Sequence, residues 1–243
     1  MPARRVVVLP VVLAVLALAG VAAAADPTDP QININPTDQS WAESIVLAPA
    51  DLGKGWVADP SSEGDSGSSG DESTWCPEGT PNQSDLTTTG GGSSPDFTRA
   101  DSSWASSVAI VWQSPDQAQA DWDRTLNVMP AFLKCLGKLF SGTAPGVKIT
   151  VASKGAIAFP AVAPRTSAFR VKLAVKPTGR VKRTRRKTLF ANYDMVLLGN
   201  GRASVWLFLV WFNRKPVSTA YERSLAEKMA ARMTTDPSAT PAP

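Results

Sequence analysis

The chain has 243 residues, 43% of them hydrophobic and 19% charged, with 25 Lys and Arg against 21 Asp and Glu. That length and apolar content suffice for one sizeable core, and a formal charge of +4 is too small to make the whole molecule a polyanion binder. There is no histidine, which removes the commonest general base, the commonest zinc ligand and the usual partner of a serine nucleophile.

In chain order, Met1 to Arg5 carries two arginines, Val6 to Gly20 is almost wholly apolar, and Ala22 to Ala25 offers small residues ahead of Asp26. These are the n-region, h-region and Ala-x-Ala site of a secretory signal, so residues 1–25 are predicted to be cleaved after Ala24 or Ala25. The apolar run is shorter than the ~20 residues a membrane-spanning helix needs, so no transmembrane segment is expected in the mature chain. No cysteine near the cleavage point offers a lipid anchor. A secreted, extracellular protein is predicted. Cys76 and Cys135 are the only cysteines, and in an oxidising compartment they are expected to form one disulfide. The chain-entropy view gives such a loop closure about 4 kcal/mol.

Residues 26–39 are polar, contain prolines and show no periodicity, and are predicted to be a flexible leader. A single domain is predicted over residues 40–235, opening at Ser40, where Ser40-Trp41-Ala42-Glu43 makes a capping box for a short helix bearing Trp41, Ile45 and Val46. Asp51 to Trp56 turns the chain and supplies Trp56 as an apolar anchor. Residues 59–96 hold eight carboxylates, no Lys or Arg and glycine-serine runs, and are predicted to form a flexible acidic loop. Val108 to Trp112 reads as a strand. Ser114-Pro115-Asp116-Gln117 starts a helix whose Ala118, Trp122, Leu126, Met129, Leu133, Leu136 and Phe140 define one buried face, stopped by Gly142.

Lys148 to Ala152 and Ala156 to Phe159 are predicted to pair as a hairpin around Ser153-Lys154-Gly155. Phe169, Val171, Leu173 and Val175 alternate with Arg170, Lys172, Ala174 and Lys176, the period of a strand with one apolar and one charged face. Leu189 to Leu198, the Asn200-Gly201 turn and Ala203 to Phe212 read as a second hairpin. Thr219 to Glu222 caps a last helix with Leu225, Met229 and Met233 spaced by four, and residues 236–243 read as a disordered tail. The fold class is α+β: an antiparallel sheet of about five to seven strands flanked by two long amphipathic helices and a short N-terminal helix.

The charges are segregated. Asp26 to Pro130 holds 17 acidic and 3 basic residues, whereas Ala131 to Pro243 holds 4 acidic and 20 basic. The base concentrates at Arg180, Lys182, Arg183, Arg185, Arg186 and Lys187, a candidate anion-binding hairpin. A solvated hairpin tip that resists edge pairing is the plainer reading of the same run. No aromatic residue interrupts it, so no nucleic-acid partner is expected. Val205 to Phe212 is apolar on both faces, as in a central strand covered on both sides, and Trp206, Phe208 and Phe212 are a candidate apolar groove. Glu63, Asp65, Asp71 and Glu72 lack the spacing of a calcium loop, Asn82-Gln83-Ser84 is a glycosylation sequon by pattern only, and no metal or cofactor is expected. With no Ser-x-x-Lys and few acids in the ordered second half, no catalytic residue is assigned and the protein is not expected to be an enzyme.

Leu47 to Trp56 ("Leu-x-x-x-Asp-Leu-Gly-x-Gly-Trp"), Asp194 to Arg202 ("Asp-Met-Val-Leu-Leu-Gly-Asn-Gly-Arg") and Glu222 to Arg232 ("Glu-Arg-x-Leu-Ala-x-Lys-Met-Ala-x-Arg"), together with the export signal and the two cysteines, resemble secreted actinobacterial proteins. These are similar in layout to the extracellular sensor domain of the PknH-type Ser/Thr kinases. The resemblance spans about Ser40 to Met233 and rests on structural rather than catalytic motifs. It implies a helix-flanked antiparallel sheet and a non-enzymatic ligand- or wall-sensing role; the kinase domains carry two disulfides, this chain cysteines for one.

The expected function is a secreted, sensor-like binding module that holds an anionic or amphipathic envelope component, a polymer or a lipid. The alternative is a structural or partner-docking protein whose acidic loop masks its own basic hairpin. A secreted hydrolase with unconventional residues is the third reading.

Overall fold

The computed structural model describes residues 28–59, 76–144, 147–178, 188–212 and 219–238. Within them, the chain forms β1 (Gln31–Ile32), α1 (Pro36–Ile45), α2 (Pro49–Leu52), β2 (Trp56–Asp59), a 3-10 turn (Pro77–Gly79), β3 (Thr87–Ser93), β4 (Asp96–Arg99) and β5 (Trp104–Trp112). There follow α3 (Pro115–Phe140), β6 (Gly142–Ala144), β7 (Val147–Ala156), β8 (Arg165–Pro177), β9 (Leu189–Asn200), β10 (Ala203–Phe212) and α4 (Thr219–Arg232). The ten strands make one sheet in the order β1-β3-β5-β10-β9-β8-β7-β6, with β4 also on β5 and β2 on β4. All pairs are antiparallel except β1 with β3.

The α+β class holds, but the strand count exceeds the predicted five to seven. One source of the excess is the segment predicted to be a loop. Gly90-Gly91-Gly92 forms the middle of β3, paired with Val111, Ile110 and Ala109 of β5. Glycine is required there because α1 lies directly on the strand, leaving no room for a side chain at Gly90 or Gly92. The first helix also starts four residues before the predicted cap. Asn35 is its N-cap, its Oδ1 accepting from the Thr37 N–H at 2.8 Å, and Pro36 occupies the first turn. Residues 31–32 are therefore strand and 36–39 helix, where the sequence predicts a flexible leader. The predicted hairpin around Gly155 is one strand, β7, bulged between Val151 and Ser153, with Gly155 at φ +149°. Of the tail, Asp236 is tied to Arg202 through two hydrogen bonds.

Strand β10 sits between β5 and β9, and its sequence is apolar on both faces because both are covered. Val205, Leu207, Leu209 and Trp211 join a core with α1, α2 and α4, including Trp41, Ile45, Leu52, Leu225 and Met229. Trp206, Phe208 and Phe212 pack against a second core beneath α3, formed with Trp122, Met129, Leu133, Leu136, Phe169, Val171 and Met195. The predicted helical period of α3 and the strand period of β8 thus meet on this second face. Cys76 and Cys135 form a disulfide with Cα atoms 5.6 Å apart, fixing the Pro77–Gly79 turn to α3. Among the described residues no helix is long and apolar enough to cross a membrane.

Candidate functional site

Arg180, Lys182, Arg183, Arg185, Arg186 and Lys187 lie outside the described residues, as do residues 1–25 and Glu63, Asp65, Asp71 and Glu72. The strand that leads to the basic run is described. Lys172 and Lys176 stand four apart on β8 and share a face, and the register places Lys148 of β7 directly opposite Lys176. Lys148 and Lys176 are exposed, and Lys172 holds its Nζ 4.6 Å from the Phe190 ring centroid. Among the described residues none of these three lysines enters an ion pair. Lys148 carries no signal of its own in the sequence, because its place beside Lys176 depends on the strand register.

Trp206, Phe208 and Phe212 are half-buried under α3. Trp206 stacks on Phe208 with centroids 5.7 Å apart, and Phe208 on Tyr193 at 6.2 Å. The rings therefore spend their faces on one another. A cavity of about 10 Å³ beside Trp206, lined also by Asp121, Thr125 and Ser204, has the room of a single water. Burial pushes the Asp121 carboxyl up to about 6, against hydrogen bonds from Gln83 and Thr125.

On the opposite face, three charged groups meet where α4 crosses the sheet. Arg170 of β8 donates two hydrogen bonds to Asp194 of β9, one of them at 2.8 Å, and reaches Glu222 of α4 at 3.4 Å. Both carboxylates are fully buried. Burial, then the hydrogen bond to Asp194 and its negative charge, push the Glu222 carboxyl up to about 8, with Arg170 opposing. The folded state thus holds a proton that the unfolded chain releases near an ordinary glutamate pKa. Its stabilising contribution is complete below that value and is lost as pH rises through about 8. Replacing Glu222 with Gln mimics the protonated form. In urea titrations from pH 5 to 9, the wild type should lose stability relative to E222Q by up to about 1.4 kcal/mol per pH unit. A constant difference between the two proteins would disprove the assignment.

Among the described residues, two acids of the first half, Asp38 and Asp51, pair with bases of the second, while the other ion pairs join residues of the same half. Arg202 donates to both oxygens of Asp38 at 2.9 Å and to Asp236 at 2.9 and 3.2 Å. Arg232 donates to Asp51 at 2.7 and 2.8 Å. These pairs hold α1 and α2 against the β9–β10 turn and α4. Arg202 holds the Asp38 carboxyl below the usual range. A cationic side chain is also enclosed by aromatic rings near β2: Arg99 lies 5.4 Å over Trp56 and 5.3 Å over Trp211, while Trp211 packs edge-on to Tyr221. The sequence singled out none of these pairs, since each joins residues far apart in the chain.

No protein-family model matches the chain, and no curated protein matches it. Among solved structures, the fold is similar to the extracellular domain of PknH from Mycobacterium tuberculosis, with a TM-score of 0.40 and 10% identity over 84% of this chain and 100% of that one. At that level the likeness assigns no residue a role.

Proposed function

We propose that the protein is an extracellular, non-enzymatic, sensor-like binding domain whose basic sheet end holds an anionic component of the cell envelope, either a polymer or a lipid headgroup. The observation that carries this reading is the direct opposition of Lys148 and Lys176. Like charges facing each other across a strand pair destabilise a sheet; among the described residues neither lysine enters an ion pair, and both stand at the end of β8 from which the chain continues to Arg180–Lys187. An anion bound across them relieves the repulsion, and two oxygens of a phosphate or sulfate suit the planar guanidinium forks of the arginines of that run. The disulfide fits an oxidising compartment.

Retention on a heparin column tests it. Elution should move to markedly lower salt when Arg183, Arg185 and Arg186 become Ser, and again when Lys148 and Lys176 become Ser. Unchanged elution in both variants would sink the proposal.

The pairing of acids from the first half with bases from the second, Asp38 with Arg202 and Asp51 with Arg232, favours one rival: the acidic segment shields the basic run of the same chain. Deleting residues 64–72 then strengthens heparin retention, whereas a simple anion binder barely responds.

A further inference from the structure

The strand β1 lies at one end of the sheet order. Its inner side is fully engaged: the N–H groups of Gln31, Asn33 and Asn35 donate to the carbonyls of Leu86, Thr88 and Thr89 at 2.9, 2.9 and 2.8 Å. Backbone direction alternates along an extended chain, so the N–H and C=O of Ile32 and Ile34 point away from the sheet. Their side chains are 77% and 49% exposed, two of the five exposed large hydrophobics among the described residues. Natural sheets blunt an open edge with short strands, lysine, proline or a bulge. β1 is short and bounded by Pro30 and Pro36, but Gln31 to Asn35 carries no lysine, no other charge and no proline.

We infer that this edge pairs with the same edge of a second copy of the chain, through an antiparallel β1–β1 contact centred on Asn33. The inference stands independently of the anion site. With Asn33 facing the partner's Asn33, Ile32 faces the partner's Ile34 and Ile34 faces the partner's Ile32. Those are the residues whose backbone groups point outward, so each pair exchanges two N–H···O bonds, four in all. Ile32 and Ile34, two residues apart, lie on one face and meet their counterparts across the two-fold. A slip of one residue would oppose groups that are already committed to β3. The five residues carry no charge, so two copies approach without local repulsion, and the contact is self-complementary about Asn33. With Pro30 and Pro36 limiting its length, the contact belongs with small, weak interfaces.

Sedimentation velocity of the purified full chain, from about 1 μM to about 1 mM, should show a reversible monomer–dimer equilibrium. Ile32→Pro removes only an outward N–H and leaves the three inner bonds intact; because the symmetric contact loses two donors, dimerisation should weaken about thirtyfold. Ile32→Lys leaves the backbone unchanged and should also weaken it by replacing the apolar contact with opposed charge. Unchanged thermal midpoints in both variants confirm that the fold survives. In hydrogen exchange, the Ile32 and Ile34 amides should slow with protein concentration, while those of Asn33 and Asn35 are slow throughout. A monomer across the whole range, association equal in wild type and both variants, or exchange at Ile32 and Ile34 that is blind to concentration would each overturn the inference.

Discussion

Gly90→Ala should destabilise the protein by about 3 kcal/mol or more, at the upper end of what overpacking costs, while Gly91→Ala, one residue along, should be nearly silent. A Cβ on Gly90 would sit 2.4 Å from the carbonyl oxygen of Asp38 and 2.5 Å from its carbonyl carbon. Those are backbone atoms of α1 and cannot rotate away, so the helix must lift from β3. At Gly92 the added carbon would lie 2.7 Å from the carbonyl of Ala42, and a similar loss is expected. Gly91 faces the other way, with nothing within 4 Å of its added Cβ, and Ala there also restricts the unfolded chain, worth about 0.4–1 kcal/mol in favour of folding. Denaturant midpoints of the three variants give the comparison. A strong-weak-strong alternation marks a glycine strand under a helix; three small, equal effects would mark a loop and contradict this part of the fold.

Arg202→Leu is the second large effect. Arg202 is 8% exposed and Asp38 2% exposed, so removing the guanidinium leaves a buried carboxylate without its cation. Breaking one side of such a pair typically costs about 3–5 kcal/mol. The loss combines a missing attraction with an uncompensated charge, and the two can be separated. Adding Asp38→Leu to Arg202→Leu removes the stranded charge and should recover a large part of the stability. Acid should help the single variant for the same reason: without Arg202 the Asp38 carboxyl protonates at higher pH, which relieves the penalty. A cost below about 1 kcal/mol for Arg202→Leu, as for an exposed pair, would show that Arg202 does not anchor α1.

Helix α3 and strand β8 are legible in the sequence because burial of one face writes a period into the residues, and β10 is legible as an unbroken apolar run because both its faces are covered. Asn200-Gly201 is legible because Gly201 at φ +53° needs glycine locally. Gly90-Gly91-Gly92 misleads because composition treats glycine as a mark of freedom, whereas close approach of α1 demands it for the opposite reason. Ser40 offers a sound capping box, yet the helix begins at Pro36, where Asp38 in its first turn meets Arg202. The candidate anion site divides in the same way. A run of arginines is visible in any window of sequence, but Lys148 joins it only through the β7–β8 register, which the bulge after Val151 helps to set. The aromatic wall of Trp206 and Phe208 is visible as an apolar strand, and only the position of α3 shows that it is largely core.

The ties between α1, α2 and the end of the chain also govern the order of events in folding. The Trp41 indole donates to the carbonyl of Arg232, 191 residues away, and Arg202 and Arg232 reach back 164 and 181 residues to Asp38 and Asp51. On the ribosome, α1 therefore emerges long before anything it binds on α4 has been made. Its charged and aromatic anchors wait in solvent until synthesis is nearly complete, and closing so long a loop slows the final step. Among the described residues the first helix can seat on β3 early, but its ties to Arg202 and α4 close only once the end of the chain has been made.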